Sequence, residues 1–274
     1  MLGQGKYGTV TRARHKRLGS MVALKSVVDP HFTCNSSETS SEGSSDLSFV
    51  SRKNSALYHE ARVLASLNHP CLVSLVEICV GVNGLLGLAL EDLGGMTLKG
   101  LVEKKRYLGL CECLVGCVVG HIAKALSYLH SRGYLHRDVK PGNIMVENTN
   151  NCFPNAKLID LGLCIQYSAD KPPNSSAGRA GTLVYMAPEL MRPNTEYGPE
   201  SDLFSLGASA YYGLVGEKPF TAYTRGSGGC STTSSVHGLL AQHMDSLDSL
   251  STDTAQVKWA YLYVLMPEYH PWVR

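Results

Sequence analysis

An α+β fold, strand-rich at its start and mainly helical afterwards, is predicted from three observations. Residues 8–25 read as a β-hairpin. The runs Gly8-Thr9-Val10-Thr11 and Met21-Val22-Ala23-Leu24-Lys25 flank a Leu18-Gly19-Ser20 turn, and β-branched and apolar residues around such a turn favour paired strands. Tyr58 to Leu67 carries Val63, Leu64 and Leu67 at helical spacing. Asn68-His69-Pro70 ends that helix, because a proline drives the residue before it out of the helical region. Leu114 to Leu129 is a third, longer apolar stretch, interrupted by His121 and Lys124, and it reads as a core helix and not as a membrane span.

Composition sets the bounds. A chain of 274 residues with 44% hydrophobic content can fill one or two substantial cores. A net charge of +2 gives no pointer to nucleic acid. The nine cysteines, an odd number with no secretory leader, fit reduced thiols, so an intracellular location, cytoplasmic or nuclear, is expected. Cys111, Cys113 and Cys117 stand at a spacing that suits zinc poorly, and they are expected to pack as small apolar residues on the long helix. No internal repeat is visible. Two low-complexity segments interrupt the pattern, a Ser-rich one from about Asn35 to Ser55 and a Gly/Ser-rich one from about Arg225 to Ser235. Such compositions bury little apolar surface, and both are expected to be solvated insertions. Phosphorylation of the first, beside the helix at residues 58–67, is the functional alternative.

The motifs that carry chemistry follow one another along the chain. Gly3, Gly5 and Gly8 form a glycine-rich loop, where the backbone can approach phosphate oxygens closely. The same spacing marks dinucleotide-binding folds, but there the third glycine opens a helix, and here a hairpin follows. Val22-Ala23-Leu24-Lys25 comes next, then Glu60 in the helix before Pro70. Residues 134–146 read Tyr-Leu-His-Arg-Asp-Val-Lys-Pro-Gly-Asn-Ile-Met-Val, with Lys140 two places and Asn143 five places after Asp138. Ile159-Asp160-Leu161-Gly162, Gly181-Thr182 through Ala187-Pro188-Glu189, and Ser201-Asp202-Leu203-Phe204-Ser205-Leu206-Gly207 complete the series. Alone, a His-Arg-Asp triplet means little. In this order the motifs resemble the eukaryotic protein kinase superfamily, and within it the serine/threonine protein kinase catalytic domain.

That resemblance implies a two-lobed fold. A small antiparallel β-rich N-lobe with one helix would occupy residues 1–92, and a larger, mainly helical C-lobe residues 93–274. Both ends are expected to be trimmed, since Met1 lies almost on the glycine loop and Arg274, the last residue, is read as the partner of Glu189. The competing reading takes His270-Pro271-Trp272 as the triplet that often closes such domains.

It also implies transfer of the γ-phosphate of ATP to Ser or Thr hydroxyls of a protein substrate, with Lys140 and Thr182 as the Ser/Thr-type residues. Asp138 would accept the hydroxyl proton and Lys140 would steady the γ-phosphate. Asn143 and Asp160 would hold Mg²⁺. Lys25, fixed by Glu60, would place the phosphates. Leu2, Gly3, Gly5, Gly8, Val10, Ala23 and Met145 would surround the nucleotide, with Leu90 at the back of the adenine pocket and the backbone of Glu91 and Leu93 along the adenine edge. Leu161 departs from the family's Phe, in a slot that serves packing. Arg137 implies control by a phosphate placed by an upstream kinase, with Ser175 and Ser176 as acceptors. Gly142 and Tyr212 stand where kinases that prefer basic substrates carry acids, so no preference for Arg just before the target residue is expected. The alternative function is a pseudokinase scaffold or allosteric partner, favoured only by Leu161 and the short ends.

Overall fold

Short β-branched and apolar segments at the start of the chain pair into one antiparallel sheet. Its strands are β1 (Gly3–Gly5), β2 (Gly8–Arg14), β3 (Met21–Ser26), β4 (Leu75–Val80) and β5 (Leu86–Glu91), in the spatial order β1-β2-β3-β5-β4. The computed structural model describes residues 2–5, 8–27, 45–81, 85–147, 154–174, 181–191 and 194–219. The predicted hairpin is β2–β3, with Val10 opposite Lys25, and β3 in turn sets Ala23 opposite Leu90 of β5. Its turn is closed by His15 N–H donating to Ser20 O at 2.8 Å, and Gly19 takes a left-handed φ of 71° that glycine adopts without strain. Gly8 is tied to its place by contact: a Cβ there would lie 2.0 Å from Ser26 O.

Helix α1 (Ser45–Ala65) packs on β4 and β5 and buries Leu57, Glu60, Ala61, Val63 and Leu64. It begins well inside the segment expected from its Ser-rich composition to be a loop. The sequence spacing gives the reason. Leu47 and Val50 continue, at steps of three and four through Asn54, the series Leu57, Ala61, Leu64. The predicted stop at Asn68-His69-Pro70 agrees with the end at Ala65, where the last turn tightens through Ser66 N–H to Val63 O and Leu67 N–H to Leu64 O.

The remaining elements are mainly helical. They are β6 (Met96–Thr97), α2 (Leu98–Lys104), α3 (Glu112–Ser131), β7 (Tyr134–Leu135), a 3₁₀ turn at Pro141–Asn143, β8 (Ile144–Val146), β9 (Ala156–Leu158), β10 (Ile165–Gln166), a 3₁₀ turn at Leu183–Tyr185, α4 (Pro188–Met191) and α5 (Pro199–Val215). Two small sheets, β6-β8-β9 and β10-β7, accompany the helices. The chain divides into two compact units, Met1–Gly94 with Asp160–Gly162, and Gly95–Ile159 with Leu163–Arg274.

Helix α3 organises the second unit. It is long and apolar enough to cross a membrane by length and composition alone. Its apolar side is instead used in the core: Leu114, Val115, Val118, Val119, Ile122, Ala125, Leu126 and Leu129 are buried, and the helix packs on α5, β7 and β9. Gly213 lets α5 come close, since a Cβ there would meet Val115 Cγ2 at 3.2 Å. Helix α5 starts on Pro199, whose fixed φ suits a first helical position, and ends at Gly216, whose φ of 82° forms a left-handed cap. The Gly/Ser-rich segment at residues 225–235 lies outside the described residues.

Leu129 is fully buried in α3. Leu129→Ala is expected to lower the unfolding free energy by about 2–5 kcal/mol in a denaturant titration, through the lost contacts and the cavity left behind.

Candidate active site

Strand β3 ends a run of apolar residues on Lys25, and α1 turns Glu60 inward. Lys25 Nζ donates to Glu60 Oε1 at 2.8 Å and Oε2 at 2.7 Å, and to Asp160 Oδ1 at 2.8 Å. The Lys25 and Glu60 side chains are only 12% and 3% exposed. Burial alone would pull the Lys25 ammonium down, but the Glu60 and Asp160 carboxylates outweigh it and raise its pKa above the ordinary value. Asp160 holds a left-handed φ of 65°, a conformation uncommon for a residue with a side chain. Leu161 behind it is fully buried. An added Cβ on Gly162 would lie 3.4 Å from both Asp160 Oδ1 and Glu60 Oε2, so a glycine leaves room for the pair of carboxylates.

In the second unit β7 delivers the chain into residues 136–140, and the loop is held from below by Asp202 on α5. The Asp202 carboxylate, 2% exposed, accepts the N–H of His136 at 2.8 Å (Oδ2) and of Arg137 at 2.8 Å (Oδ1). It also bonds His130 Nε2 at 2.9 Å. Burial would push this carboxyl up. The hydrogen bond from His130, the charges of His136 and His130 and the N–H of His136 reverse that and hold it below the ordinary value. Arg137 is kept at a left-handed φ of 67° and reaches Tyr197 Oη with Nη1 at 3.1 Å.

The next residue is Asp138, 7% exposed and surrounded by donors. Lys140 Nζ donates to its Oδ2 at 2.5 Å, Thr182 Oγ1 to its Oδ1 at 3.0 Å, and Asn143 Nδ2 to its Oδ2 at 3.1 Å and its carbonyl O at 2.9 Å. Lys140 Nζ also donates to Thr182 Oγ1 at 3.1 Å, so the threonine hydroxyl accepts from one member and donates to the other. Both bonds of Asn143 use Nδ2. They fix the amide plane and leave Oδ1 as the atom it can offer a cation. The backbone of Asn143 accepts Ile159 N–H at 2.8 Å, which ties this loop to the strand ahead of Asp160.

The nucleotide-site residues named from the sequence fall as follows. Gly3 and Gly5 are in β1 opposite Val10 and Gly8 of β2, and Leu2 N–H donates to Val10 O at 2.8 Å. Lys6 and Tyr7 lie outside the described residues. A Cβ on Gly3 would meet nothing within 4 Å. Val10, Ala23 and Lys25 share β2 and β3, with Leu90 and Glu91 on β5. Glu91 exchanges two bonds with Ser74, its N–H donating to Ser74 O at 3.0 Å and its Oε1 accepting Ser74 N–H at 2.8 Å. Leu93 is half-buried just beyond β5. Met145 is half-buried on β8 of the second unit, opposite Thr97 and Lys157. Ser175, Ser176, Arg274 and the triplet His270-Pro271-Trp272 lie outside the described residues. Glu189 accepts a hydrogen bond from Ser201 Oγ, a partner the sequence did not suggest. His130, Tyr197 and Ser201 are the contributors missed by sequence reasoning. The His130–Asp202 contact joins residues 72 apart, and no local pattern signals it.

Among the described residues no group of three or more His, Cys, Asp or Glu could hold a metal ion by itself. Asp160 in the first unit and Asn143 in the second each carry, taken singly, an oxygen donor of the hard kind that Mg²⁺ accepts.

Residues 1–257 match the family described as Protein kinase domain. The chain belongs to the protein kinase family. Its antiparallel sheet and later helices are those of the two-lobed kinase fold, the α+β class predicted above. Serine/threonine-protein kinase PAK mbt of Drosophila melanogaster is 32% identical over 219 residues, covering 80% of this chain and 30% of that protein. Serine/threonine-protein kinase pkn3 of Myxococcus xanthus is 32% identical over 223 residues, covering 80% of this chain and 37% of that protein. Sperm motility kinase 3A of Mus musculus is 27% identical over 283 residues, covering 99% of this chain and 48% of that protein. The chain therefore spans less than half the length of these relatives.

The depressed pKa of Asp202 sets a sign for stability against pH. Its contribution is present above the ordinary carboxyl value of 3.8 and is lost as pH falls through the lower folded-state value. Unfolding free energies measured across an acid series are expected to drop below about pH 4 in the kinase domain. Asp202→Asn should flatten that drop and be less stable at neutral pH by about 1–3 kcal/mol.

Proposed function

We propose that this kinase domain is an active serine/threonine protein kinase, transferring the γ-phosphate of ATP to Ser or Thr hydroxyls of protein substrates. The observation that supports it most is the setting of Asp138. Its carboxylate is nearly buried, both oxygens are engaged by Lys140, Asn143 and Thr182, and its backbone neighbours are clamped by Asp202. A base held so firmly needs little rearrangement to receive a proton, and positioning is most of what phosphoryl transfer asks of a protein.

In this reading residues 1–92 form the N-lobe and residues 93–274 the C-lobe. The substrate hydroxyl displaces the Thr182 hydroxyl or joins it at Asp138, and Asp138 Oδ1 takes the proton. Lys140 balances the charge gathering beside it. Lys25, oriented by the two oxygens of Glu60, faces the phosphates. Leu2, Gly3, Gly5 and Gly8 present backbone to them, Val10, Ala23 and Met145 line the adenine, and Glu91 and Leu93 offer it main-chain bonds. Mg²⁺, held by Asn143 and Asp160, would neutralise phosphate charge when bound. Arg137, whose buried Nε has no hydrogen-bond partner among the described residues, supports activation by an upstream kinase.

Transfer of labelled phosphate from ATP with Mg²⁺ to a mixed protein substrate tests the reading. Label is expected on Ser and Thr. Asp138→Asn should reduce the rate about 10²-fold or more, the usual worth of a positioned base. Absence of transfer from folded protein that binds ATP, even after treatment with an activating kinase, would sink the proposal in favour of a scaffold.

Specificity follows from two positions. Gly142 carries no side chain and Tyr212 is 3% exposed, so neither supplies a carboxylate to a basic substrate. A peptide library is expected to show no selection for Arg immediately before the acceptor.

A further inference from the structure

The segment that joins α2 to α3 contributes no residue to the site described above and has features of its own. Lys104, Lys105 and Arg106 follow one another, and none of the three makes an ion pair among the described residues. Tyr107 and Leu108 come next, 55% and 85% exposed, and Leu108 is the most exposed large apolar residue described. Arg106 and Tyr107 both hold left-handed conformations, with φ of 55° and 62°. Two such residues in succession are unfavourable and persist only where the surroundings impose them.

The surroundings here do. Tyr107 N–H donates to Val102 O at 3.0 Å and Leu110 N–H to Gly213 O at 2.8 Å. The end of α5 presses against the same loop. A Cβ on Gly216 would lie 2.1 Å from Tyr107 O, and one on Gly109 would lie 2.0 Å from Leu214 O. Both glycines have left-handed φ, 82° and 73°. The loop is thus a pinned projection with an apolar tip and a collar of cations. The acids nearby do not cancel the collar. Glu103 is engaged by Lys99 at 3.6 Å, Glu112 opens the next helix, and Glu217 is followed by Lys218.

We propose that this loop docks the kinase domain on an anionic phospholipid surface. Leu108 and Tyr107 would enter the headgroup boundary, and Lys104, Lys105 and Arg106 would lie among the phosphates. The shape selects this partner over others. A peptide ligand needs a seat that buries its side chains, and Leu108, 85% exposed, stands out from its neighbours instead of lining one. A nucleic acid would find one aromatic ring at the tip and an aliphatic side chain where a second stacking surface would be needed. A soft interface accepts a single apolar projection and rewards adjacent cations.

The test is co-sedimentation of the full chain with vesicles. Binding is expected to phosphatidylcholine mixed with phosphatidylserine and to be much weaker with phosphatidylcholine alone. It should weaken as salt is raised. Lys105→Glu and Leu108→Ser, each at an exposed position and with the wild-type melting temperature, should each lower the partition coefficient about fivefold or more. Soluble glycerophosphoserine should not compete. The proposal is overturned if the mixed vesicles fail to bind the wild type, if both variants bind as the wild type does, or if an acidic peptide or the soluble headgroup displaces the vesicles. None of these readouts depends on phosphate transfer.

Discussion

A charge buried beneath a loop governs the second unit. Removing a carboxylate from water is unfavourable unless strong donors replace the lost hydration. Asp202 receives two backbone N–H groups and His130. Those bonds fix two successive peptide groups, His136 and Arg137, and with them the left-handed turn at Arg137 that aims the next residue, Asp138. The helix around Asp202 is built to tolerate polar atoms in the core. Ser205 and Ser209 return their hydroxyls to carbonyls one turn back, Ser201 O at 3.0 Å and Ser205 O at 2.8 Å. Ser201 itself reaches sideways to Glu189. One face of α5 thus holds both the loop at residue 138 and the start of α4, while small residues on it let α3 come close.

The ion cluster of the first unit obeys a different logic. Lys25 sits between Glu60 and Asp160, and the Lys25 and Glu60 side chains have little water to share, so removing Lys25 would leave the Glu60 carboxylate as an uncompensated buried charge. Replacing the whole cluster with apolar residues need not destabilise the fold. Stability therefore does not explain why the charges are there. The cluster orients an ammonium group, and its direction is set by sheet register, with Val10 and Leu88 opposite Lys25 on either side. A slip of one residue in β3 would turn Lys25 to the other face of the sheet and undo the arrangement.

Local chemistry explains which parts were legible in the sequence. The β2–β3 hairpin was announced by its Gly-Ser turn, the end of α1 by Pro70, and α3 by its apolar run, because each depends on residues close together in the chain. The family was legible because several short motifs stand in a fixed order. The start of α1 departs from the expected loop: serine density argues for a loop there, but the spacing of Leu47, Val50 and Leu57 is that of a helix, and a helix forms from Ser45. The His130, Tyr197 and Ser201 contacts were not legible at all, since each pairs residues far apart in the chain and involves a type that is ordinary at its own position.

Backbone strain was equally hidden, and its distribution is informative. Among the described residues, five other than glycine hold positive φ: Arg106, Tyr107, Arg137, Asp160 and Asn194. Asn194 needs no special account, because asparagine tolerates this region. Aspartate tolerates it as well, but Arg106, Tyr107 and Arg137 are types that avoid it, so something must hold each of those three. Arg137 is held by the Asp202 carboxylate through its own N–H, and Asp160 is engaged by Lys25. Tyr107 is held by its N–H bond to Val102 O and by the close approach of Gly216 to its carbonyl, and Arg106 donates its N–H to Glu103 O at 2.9 Å. Two of these places carry the family's motifs. The third carries none, yet it has the same physical signature, a disfavoured conformation over-determined by its neighbours. Strain maintained in that way is not an accident of a loose loop, since a loose loop would relax it. It implies that the direction in which Leu108 points is itself a constrained property of the molecule.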